Sequence, residues 1–160
     1  MLVHPIPPLF DSNSGILILG SFPSVKSREE CFFYGHPQNR FWKVVARVLN
    51  EKTPVTIQEK TDMMLRHRIA VWDVIHSCEI EGSADSTIRN VVANDLSIIL
   101  KNADIKQIYV NGKKAEAMYK KYTEKQTGIK AIVLPSTSPA NAAWNEDRLF
   151  DEWKKILNHL

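Results

Sequence analysis

GILILG, from Gly15 to Gly20, is a short apolar run with a glycine at each end. Such a run is typical of a strand that is buried on both faces of a sheet. Three further apolar runs, Ile69–Ile75, Ile105–Gly112 and Ile129–Leu134, are separated from it and from one another by helical or polar stretches. Strands that alternate with helices form a mostly parallel sheet through right-handed crossovers. The sequence therefore predicts an α/β protein, a three-layer α/β/α sandwich with a central, mostly parallel four-stranded sheet.

The helices are predicted from apolar spacing and capping residues. Apolar residues recur at helical spacing from Phe41 to Leu49, behind an Asn39 or Gln38 that can cap the helix. Thr56 and Glu59 stand at the spacing of a capping box, which predicts a second helix. Further helices are expected over residues 87–102, 113–125 and 145–160, and loops over residues 21–38 and 76–86.

Length and composition indicate one globular domain that spans residues 1–160. The chain has 44% hydrophobic and 24% charged residues, as expected of a globular protein with a sizeable core. No apolar run approaches the roughly 20 residues of a membrane-spanning helix, and the N-terminus lacks the pattern of a signal peptide. We expect a monomeric cytoplasmic protein. The net charge of +3 permits an anionic partner but does not require one.

The cysteines and histidines do not predict a metal site or a cofactor. Two cysteines, Cys31 and Cys78, are too few for a four-thiolate site within one chain, and they are not spaced as a Cys-x-x-Cys pair. We therefore expect two free thiols. A cysteine hydrolase that uses Cys31 and His36 is an alternative, but catalytic pairs are usually far apart in sequence. The pattern favours a thiol in the core.

Serine- and proline-rich loops follow two of the predicted strands. Ligands of open α/β sheets bind beyond the carboxyl ends of the strands. Ser24 and Ser27, with Lys26 and Arg28 nearby in the loop after Gly20, are candidates to hold one phosphate, and the segment Ser136–Thr137–Ser138 is a candidate to hold another. The alternative is that these clusters only form turns. Asn111 lacks the context of a phosphate-binding Walker motif and is interpreted as a turn residue.

The segment FYGHPQNRFWKVV, from Phe33 to Val45, contains more aromatic and polar side chains than a helix start requires. HPQNRFWKV, residues 36–44, closely resembles the H-P-x-N-R-F-W-K segment of mismatch-specific uracil/thymine-DNA glycosylases. GSFPS and LPSTSPANA stand where that superfamily has its first and second motifs. Together with WDVI, GSADSTI and NGKKA, in the expected order from about residue 15 to residue 144, these segments resemble the hypoxanthine-DNA (deoxyinosine) glycosylase branch of the uracil-DNA glycosylase superfamily.

The resemblance implies a uracil-DNA glycosylase-like fold and a monofunctional DNA N-glycosylase that releases hypoxanthine from deoxyinosine. Its implied partner is DNA that contains deaminated bases, and no cofactor or metal is implied. The chain departs from the superfamily at Phe22, where other members have a water-activating Asp or a water-positioning Asn, and at Leu134, where His or Asn is usual. A uracil- or mismatch-preferring glycosylase is therefore an alternative. So is a catalytically silent DNA- or nucleobase-binding module.

In the hypoxanthine branch the asparagine of the H-P-x-N segment positions the attacking water, and here that residue is Asn39. An amide is not a general base, so Asn39 would not take a proton from the water. Instead its carbonyl would orient the water and its NH₂ group would contact the base. The alternative is a plain helix cap. The two roles compete for one side chain.

The resemblance also implies the residues that bind the base. Tyr34 would stack on the flipped base, and the loop that begins at Gly20 would stabilise the departing base through the backbone N–H groups of Ser21 and Phe22. Asp73 would accept the N1–H of hypoxanthine, with capping of the following turn as the alternative. His36 is a further candidate whose ring direction the sequence leaves open. The wedge that replaces the flipped base would come from Ser138 to Asn141.

Overall fold

The computed structural model describes residues 1–160. Its strands are β1 (Leu2–Val3), β2 (Ile16–Gly20), β3 (Ile69–Asp73), β4 (Ile75–Glu79), β5 (Arg89–Ala93), β6 (Gln107–Asn111) and β7 (Ile132–Leu134). Its α-helices are α1 (Val25–Glu30), α2 (Phe41–Val48), α3 (Ile57–Arg66), α4 (Ser97–Leu100), α5 (Lys113–Tyr122), α6 (Glu124–Thr127) and α7 (Glu146–Trp153). Short 3₁₀ helices cover Asp85–Thr87 and Lys154–His159. No helix is long and apolar enough to cross a membrane.

A four-stranded parallel sheet in the order β3-β2-β6-β7 forms the centre of the fold. Every residue of β2 and β3 is buried. Since successive side chains of a strand point to opposite faces, burial of all of them means that both faces of the sheet are covered. The predicted α/β class with its central parallel sheet is confirmed.

The order of the strands creates a switch point at β2. The chain leaves β2 for β3 on one side and later returns to β6 on the other side. Ligands of open α/β sheets bind in the crevice that such a reversal opens at the carboxyl ends of the strands. Gly20 pairs with Asp73 in the register of β2 and β3, and Asn111 ends β6 beside them. These three residues therefore mark the expected position of a site.

A second, antiparallel sheet in the order β1-β4-β5 was not predicted. The expected loop over residues 76–86 is wrong, because β4 occupies Ile75–Glu79, and the strand expected over Ile69–Ile75 ends at Asp73. The expected helix over residues 87–102 is also wrong: β5 covers Arg89–Ala93, and only Ser97–Leu100 is α-helical. β5 is largely exposed, so it lacks the apolar alternation that identifies a strand from sequence.

The capping signals of α3 and α7 are confirmed, but that of α2 is wrong in its position: Arg40 is the N-cap residue without a side-chain capping bond, and Asn39 precedes it. Thr56 and Glu59 form the predicted capping box of α3, and Asn145 caps α7 by accepting a hydrogen bond from the N–H of Arg148 at 2.9 Å. The loop expected over residues 21–38 contains the additional helix α1, capped by Ser24. The final helix is shorter than predicted, because residues 154–159 wind into a 3₁₀ helix.

Candidate active site

A cavity of about 330 Å³ opens at the carboxyl ends of β2, β3 and β6. All predicted site residues except Lys26 and Asn141 line it: Gly20, Ser21, Phe22, Ser24, Tyr34, His36, Asn39, Asp73, Ser136, Thr137 and Ser138. Lys26 instead lies with its Nζ 3.6 Å from a carboxylate oxygen of Glu30. The fold thus brings together segments that are more than one hundred residues apart in the sequence.

Several lining residues were not predicted. Ser83 and Asp85 reach the cavity from the segment after β4, and Asn111 reaches it from the end of β6. Asn111 was interpreted as a turn residue, yet its amide donates to Thr137 Oγ1 at 3.0 Å and accepts from the N–H of Thr137 at 3.1 Å. Two signals pointed towards these residues: the GSADSTI segment belongs to the resemblance, and Asn111 stands at a strand end.

The turn after β2 presents unpaired backbone donors. Neither the N–H of Ser21 nor that of Phe22 donates to an acceptor within the protein. The Phe22 side chain is buried, with its ring at right angles to that of His4 at a centroid distance of 6.0 Å. A phenyl ring has no hydrogen-bonding group, so the only donor that Phe22 can offer the cavity is its backbone N–H. Two free N–H groups at the cavity wall are suited to stabilise a developing negative charge.

Asp73 is buried and is held by a histidine from the N-terminal segment. Its Oδ2 lies 2.7 Å from His4 Nε2, and the His4 side chain is only 1% exposed. The N–H of Ile6 donates to His4 Nδ1 at 3.2 Å. Because Nδ1 accepts a hydrogen bond, Nε2 must carry the proton, and the neutral imidazole donates to Asp73. The carboxylate therefore bonds to His4 and not to the backbone of the following turn.

Tyr34 lines the cavity and has a buried hydroxyl. Its ring stacks on Phe41 at a centroid distance of 3.9 Å, and its hydroxyl is buried without a hydrogen-bond partner. Burial, reinforced by the charge of Asp73, raises the pKa of Tyr34 well above its usual value. The hydroxyl therefore stays protonated and is available as a donor. Stacking on Phe41 occupies one face of the ring, so any base would have to stack on the other face.

Gly20 leaves open the space between these two groups. A Cβ atom built on Gly20 would lie 2.4 Å from Asp73 Oδ1 and 3.1 Å from the Tyr34 hydroxyl. An acceptor and a donor thus converge over the Cα of Gly20. Any side chain at this position would displace them.

Asn39 contacts the start of α2 and keeps part of its amide free. Its Oδ1 accepts a hydrogen bond from the N–H of Phe41, the first residue of α2, at 2.9 Å. This bond fixes which end of the amide is oxygen. Its Nδ2 donates to no protein group, while Oδ1 retains a second lone pair. The helix start therefore orients the amide at the cavity wall without using its full hydrogen-bonding capacity.

Arg40, the next residue, organises the opposite loop. Its guanidinium donates to the backbone oxygens of Ser138 at 2.7 Å and Asn141 at 3.2 Å, and also to that of Trp144. Its own N–H donates to the Thr137 oxygen at 3.1 Å. Charge-assisted bonds of this kind are stronger than neutral ones. Arg40 thus shapes the segment that the sequence assigned to the wedge.

The hydroxyls of the two serine loops take part in building their own turns. Ser24 Oγ lies 3.0 Å from Ser27 Oγ and accepts from the Ser27 N–H, while Ser136 Oγ accepts from the Ser138 N–H. Thr137 is fully buried. A serine that accepts a backbone hydrogen bond can still donate its own proton to a ligand.

The remaining candidates lie at the margin of the site or outside it. His36 is exposed at the rim, where its Nδ1 accepts from the Gln38 N–H at 3.1 Å. Both cysteines are free thiols, as predicted; Cys78 is buried but Cys31 is exposed at the C-terminus of α1. The expectation that the Cys31 thiol packs in the core is wrong, because Cys31 adopts a left-handed conformation that ends the helix (φ 53°).

The fold and the site together define an open α/β protein whose parallel sheet has amide, carboxylate and free backbone N–H groups at its switch point. Residues 7–160 match the model of the Uracil DNA glycosylase superfamily. The protein belongs to this superfamily, which confirms the resemblance.

Similar proteins extend this comparison across almost the whole chain. A protein of Methanosarcina acetivorans named hypoxanthine DNA glycosylase is 35% identical over 161 residues, which cover 99% of this chain and 100% of the relative. A Methanosarcina barkeri protein of the same name is 34% identical over 137 residues, or 84% of this chain and 85% of the relative. A solution NMR structure of a candidate uracil DNA glycosylase from M. acetivorans superposes with a TM-score of 0.83 at 33% identity, covering 99% of this chain and 98% of that one.

Proposed function

We propose that this protein is a monofunctional DNA N-glycosylase that hydrolyses the N-glycosidic bond of deoxyinosine and releases hypoxanthine. The observation that carries the proposal is the Asp73–Tyr34 pair in the cavity of a chain whose full-length relatives are named hypoxanthine DNA glycosylases. Its partner is DNA that contains deaminated bases, on which it acts as a cytoplasmic monomer through the single domain of residues 1–160.

The cavity reads the edge that deamination changes. Hypoxanthine presents an N1–H donor beside an O6 acceptor, whereas adenine presents an N1 acceptor beside an N6 donor. Asp73 Oδ1 accepts the N1–H, and the protonated Tyr34 hydroxyl donates to O6. This edge contact replaces the stacking role that the resemblance implied for Tyr34, because Phe41 occupies one face of the ring and a hydroxyl that bonds to the edge of the base cannot also present the ring face to it. Adenine would place its N1 lone pair against the Asp73 carboxylate, and an unpaired buried polar group costs about 1–3 kcal/mol. The pair therefore favours the deaminated base over the normal one.

The base reaches this pocket by flipping out of the duplex, which is least costly for a mispaired base. As the C1′–N9 bond breaks, its electron pair leaves with the base. The free N–H groups of Ser21 and Phe22 stabilise that negative charge. The loop Ser138–Asn141, held by Arg40, occupies the gap in the duplex.

Asn39 positions the attacking water. The Phe41 N–H holds one lone pair of its Oδ1, so the second lone pair is left to accept a proton of the water. Its Nδ2 is left to donate to the base. The water oxygen bonds to C1′, the water gives up one proton, and the departing base gains one. The products are free hypoxanthine and an abasic site.

Base-release assays test the substrate directly. Purified protein is expected to release base faster from duplexes with deoxyinosine than from duplexes with uracil or xanthine, measured as single-turnover rates. Equal or faster release from uracil would identify a uracil-preferring glycosylase of the same superfamily. Binding of all three duplexes without release of base would identify a DNA-binding module.

His4 is expected to contribute to base selectivity although it makes no contact with the cavity itself. His4→Ala removes the hydrogen bond to Asp73 Oδ2 and lets the carboxylate rotate. A hydrogen bond from a neutral donor to a charged acceptor contributes about 1.5–3 kcal/mol. The rate on deoxyinosine should therefore fall about tenfold or more. On a duplex with deoxynebularine, whose purine lacks both N1–H and O6, His4→Ala should reduce the rate much less.

The selectivity ratio separates positioning from stability in this experiment. His4→Gln, whose amide can donate to Asp73, should recover part of the preference for deoxyinosine over deoxynebularine. Thermal melts of both variants report any loss of folding. An unchanged preference in folded His4→Ala would remove His4 from base recognition.

A further inference from the structure

By the resemblance, Phe22 stands where the first motif has an Asp or an Asn, and its buried phenyl ring offers the cavity no carboxylate. Cleavage of the glycosidic bond nevertheless builds positive charge on the deoxyribose. No lysine or arginine lines the cavity, and its only carboxylates are those of Asp73 and Asp85. Asp73 is tied to His4 on the side where the base binds. Asp85 has no role in the steps described above.

Asp85 is brought to the cavity by the loop between β4 and β5. Its Oδ1 accepts a hydrogen bond of 2.9 Å from Ser21 Oγ, so it is attached to the residue that precedes Phe22. Its loop is anchored to α1, where the N–H of Val25 donates to Ser83 Oγ and Arg28 Nη2 donates to the Gly82 oxygen, both at 2.9 Å. The carboxylate therefore lies beside the position of the missing acid.

The Asp85 carboxylate forms no ion pair within the protein. A negative charge without an ion-pair partner at the mouth of a cavity that receives a DNA strand repels the phosphates and weakens binding. A group that opposes ground-state binding can still accelerate a reaction if its interaction with the transition state is favourable. The positive charge that develops on the sugar supplies such an interaction.

We propose that Asp85 is a further catalytic residue, whose carboxylate stabilises the positive charge on the deoxyribose while the C1′–N9 bond breaks. This inference rests on the proposed glycosylase function. Asp85 forms no covalent bond and stays ionised throughout: the bonding electrons leave with N9, and water supplies the oxygen that binds C1′. Asn39 and Asp85 thus divide the task of the absent motif acid, one holding the water and the other the charge.

The pH dependence of the rate follows from the surroundings of Asp85. The residue as a whole is exposed, but its carboxylate is partly buried at the hydrogen bond to Ser21, and this loss of solvation raises its pKa; the nearby charge of Asp73 acts in the same direction, and the hydroxyl of Ser21 and the charge of Lys114 on α5 oppose the rise. Only the ionised form can stabilise a cation. The rate should therefore decline as the pH falls through the raised pKa of Asp85, and this acid limb should be lost in a variant without the carboxylate.

The test compares Asp85→Asn with Glu81→Gln, which removes the same charge from an exposed residue of the same loop that does not line the cavity. Single-turnover release of hypoxanthine should fall about 100-fold in Asp85→Asn, the size of effect seen when one charge-stabilising group is removed from an active site. Affinity for a duplex with 2′-fluoro-deoxyinosine, which is cleaved very slowly, should stay equal or become tighter. Glu81→Gln should retain the wild-type rate.

A lower rate of base release without weaker DNA binding is the result that the proposed role predicts for Asp85→Asn. Ser21→Ala, which keeps the backbone N–H but removes the hydroxyl that holds Asp85, should show a smaller fall in rate, and thermal melts verify folding. An Asp85→Asn protein with the wild-type rate and acid limb, or with rate and affinity reduced together, would overturn this inference and leave the glycosylase function standing. A wild-type protein that releases no base would overturn both.

Discussion

Asn39→Ala is expected to slow single-turnover release of hypoxanthine by about 100- to 1,000-fold in protein that remains folded and still binds DNA. The variant loses both the lone pair for the water and the NH₂ group for the base. It also loses the bond to the Phe41 N–H, and loss of such a capping bond costs about 1 kcal/mol of stability. Rates and thermal melts must therefore be measured on the same samples.

Asn145→Ala is the matched control for this effect. Asn145 also caps a helix through its side-chain oxygen, bonding the Arg148 N–H at 2.9 Å, but it does not line the cavity. It should lose about the same stability and keep its rate per folded molecule. If both alanine variants keep their rates, Asn39 is a helix cap and no part of the mechanism.

Asn39→Asp separates the two ends of the amide. Aspartate still accepts the hydrogen bond from the Phe41 N–H, so the stability of α2 should be retained. It lacks the NH₂ group and places a negative charge near the departing base. We therefore expect the preference among hypoxanthine, xanthine and uracil to change together with the rate.

Gly20→Ala is expected to reduce the rate on deoxyinosine at least about 100-fold, the scale of loss that follows a displacement of about 1 Å in an active site. The added Cβ would lie 2.4 Å from Asp73 Oδ1, closer than any contact allows, and 3.1 Å from the Tyr34 hydroxyl. Both groups that read the base would have to move. The cost in stability should be about 1–3 kcal/mol, as for other overpacked sites.

Gly15→Ala provides the comparison at the other end of the same strand. A Cβ there meets the Arg68 side chain at 3.7 Å, an ordinary contact. This variant should be as active as the wild type. The decisive measurement is the rate of Gly20→Ala on folded protein, because an active variant would show that the base does not enter the space above Gly20.

The resemblance predicted most of the residues that line the cavity, since its motifs lie at the ends of strands that the sequence also predicted. Gly20, Asp73 and the segment after Leu134 meet because the carboxyl ends of parallel strands share one edge of the sheet. Asn39 was identified as both cap and water-positioning residue, but the sequence treated these roles as exclusive. In the structure Oδ1 accepts from the Phe41 N–H and retains a second lone pair, so contact with the helix start leaves room for the proposed water-positioning role.

The sequence by itself determined the features that depend on neighbouring residues. The buried strand Ile16–Gly20 is a continuous apolar run, and the caps formed by Thr56 and Asn145 bond to groups three residues away. Such interactions are encoded at short spacing, so they can be read without knowledge of the fold.

Only the tertiary structure decided the contacts that complete the cavity. His4 meets Asp73 across 69 residues, Ser21 meets Asp85 across 64, and Arg40 reaches the Ser138 oxygen across 98. The antiparallel sheet was also missed, and Asp85 lies in the connection between two of its strands, β4 and β5. In this sheet β4 pairs with the remote β1 and with an exposed β5. β2 and β3 are equally distant partners, but both are fully buried and therefore appear as apolar runs, whereas the largely exposed β5 has no such run.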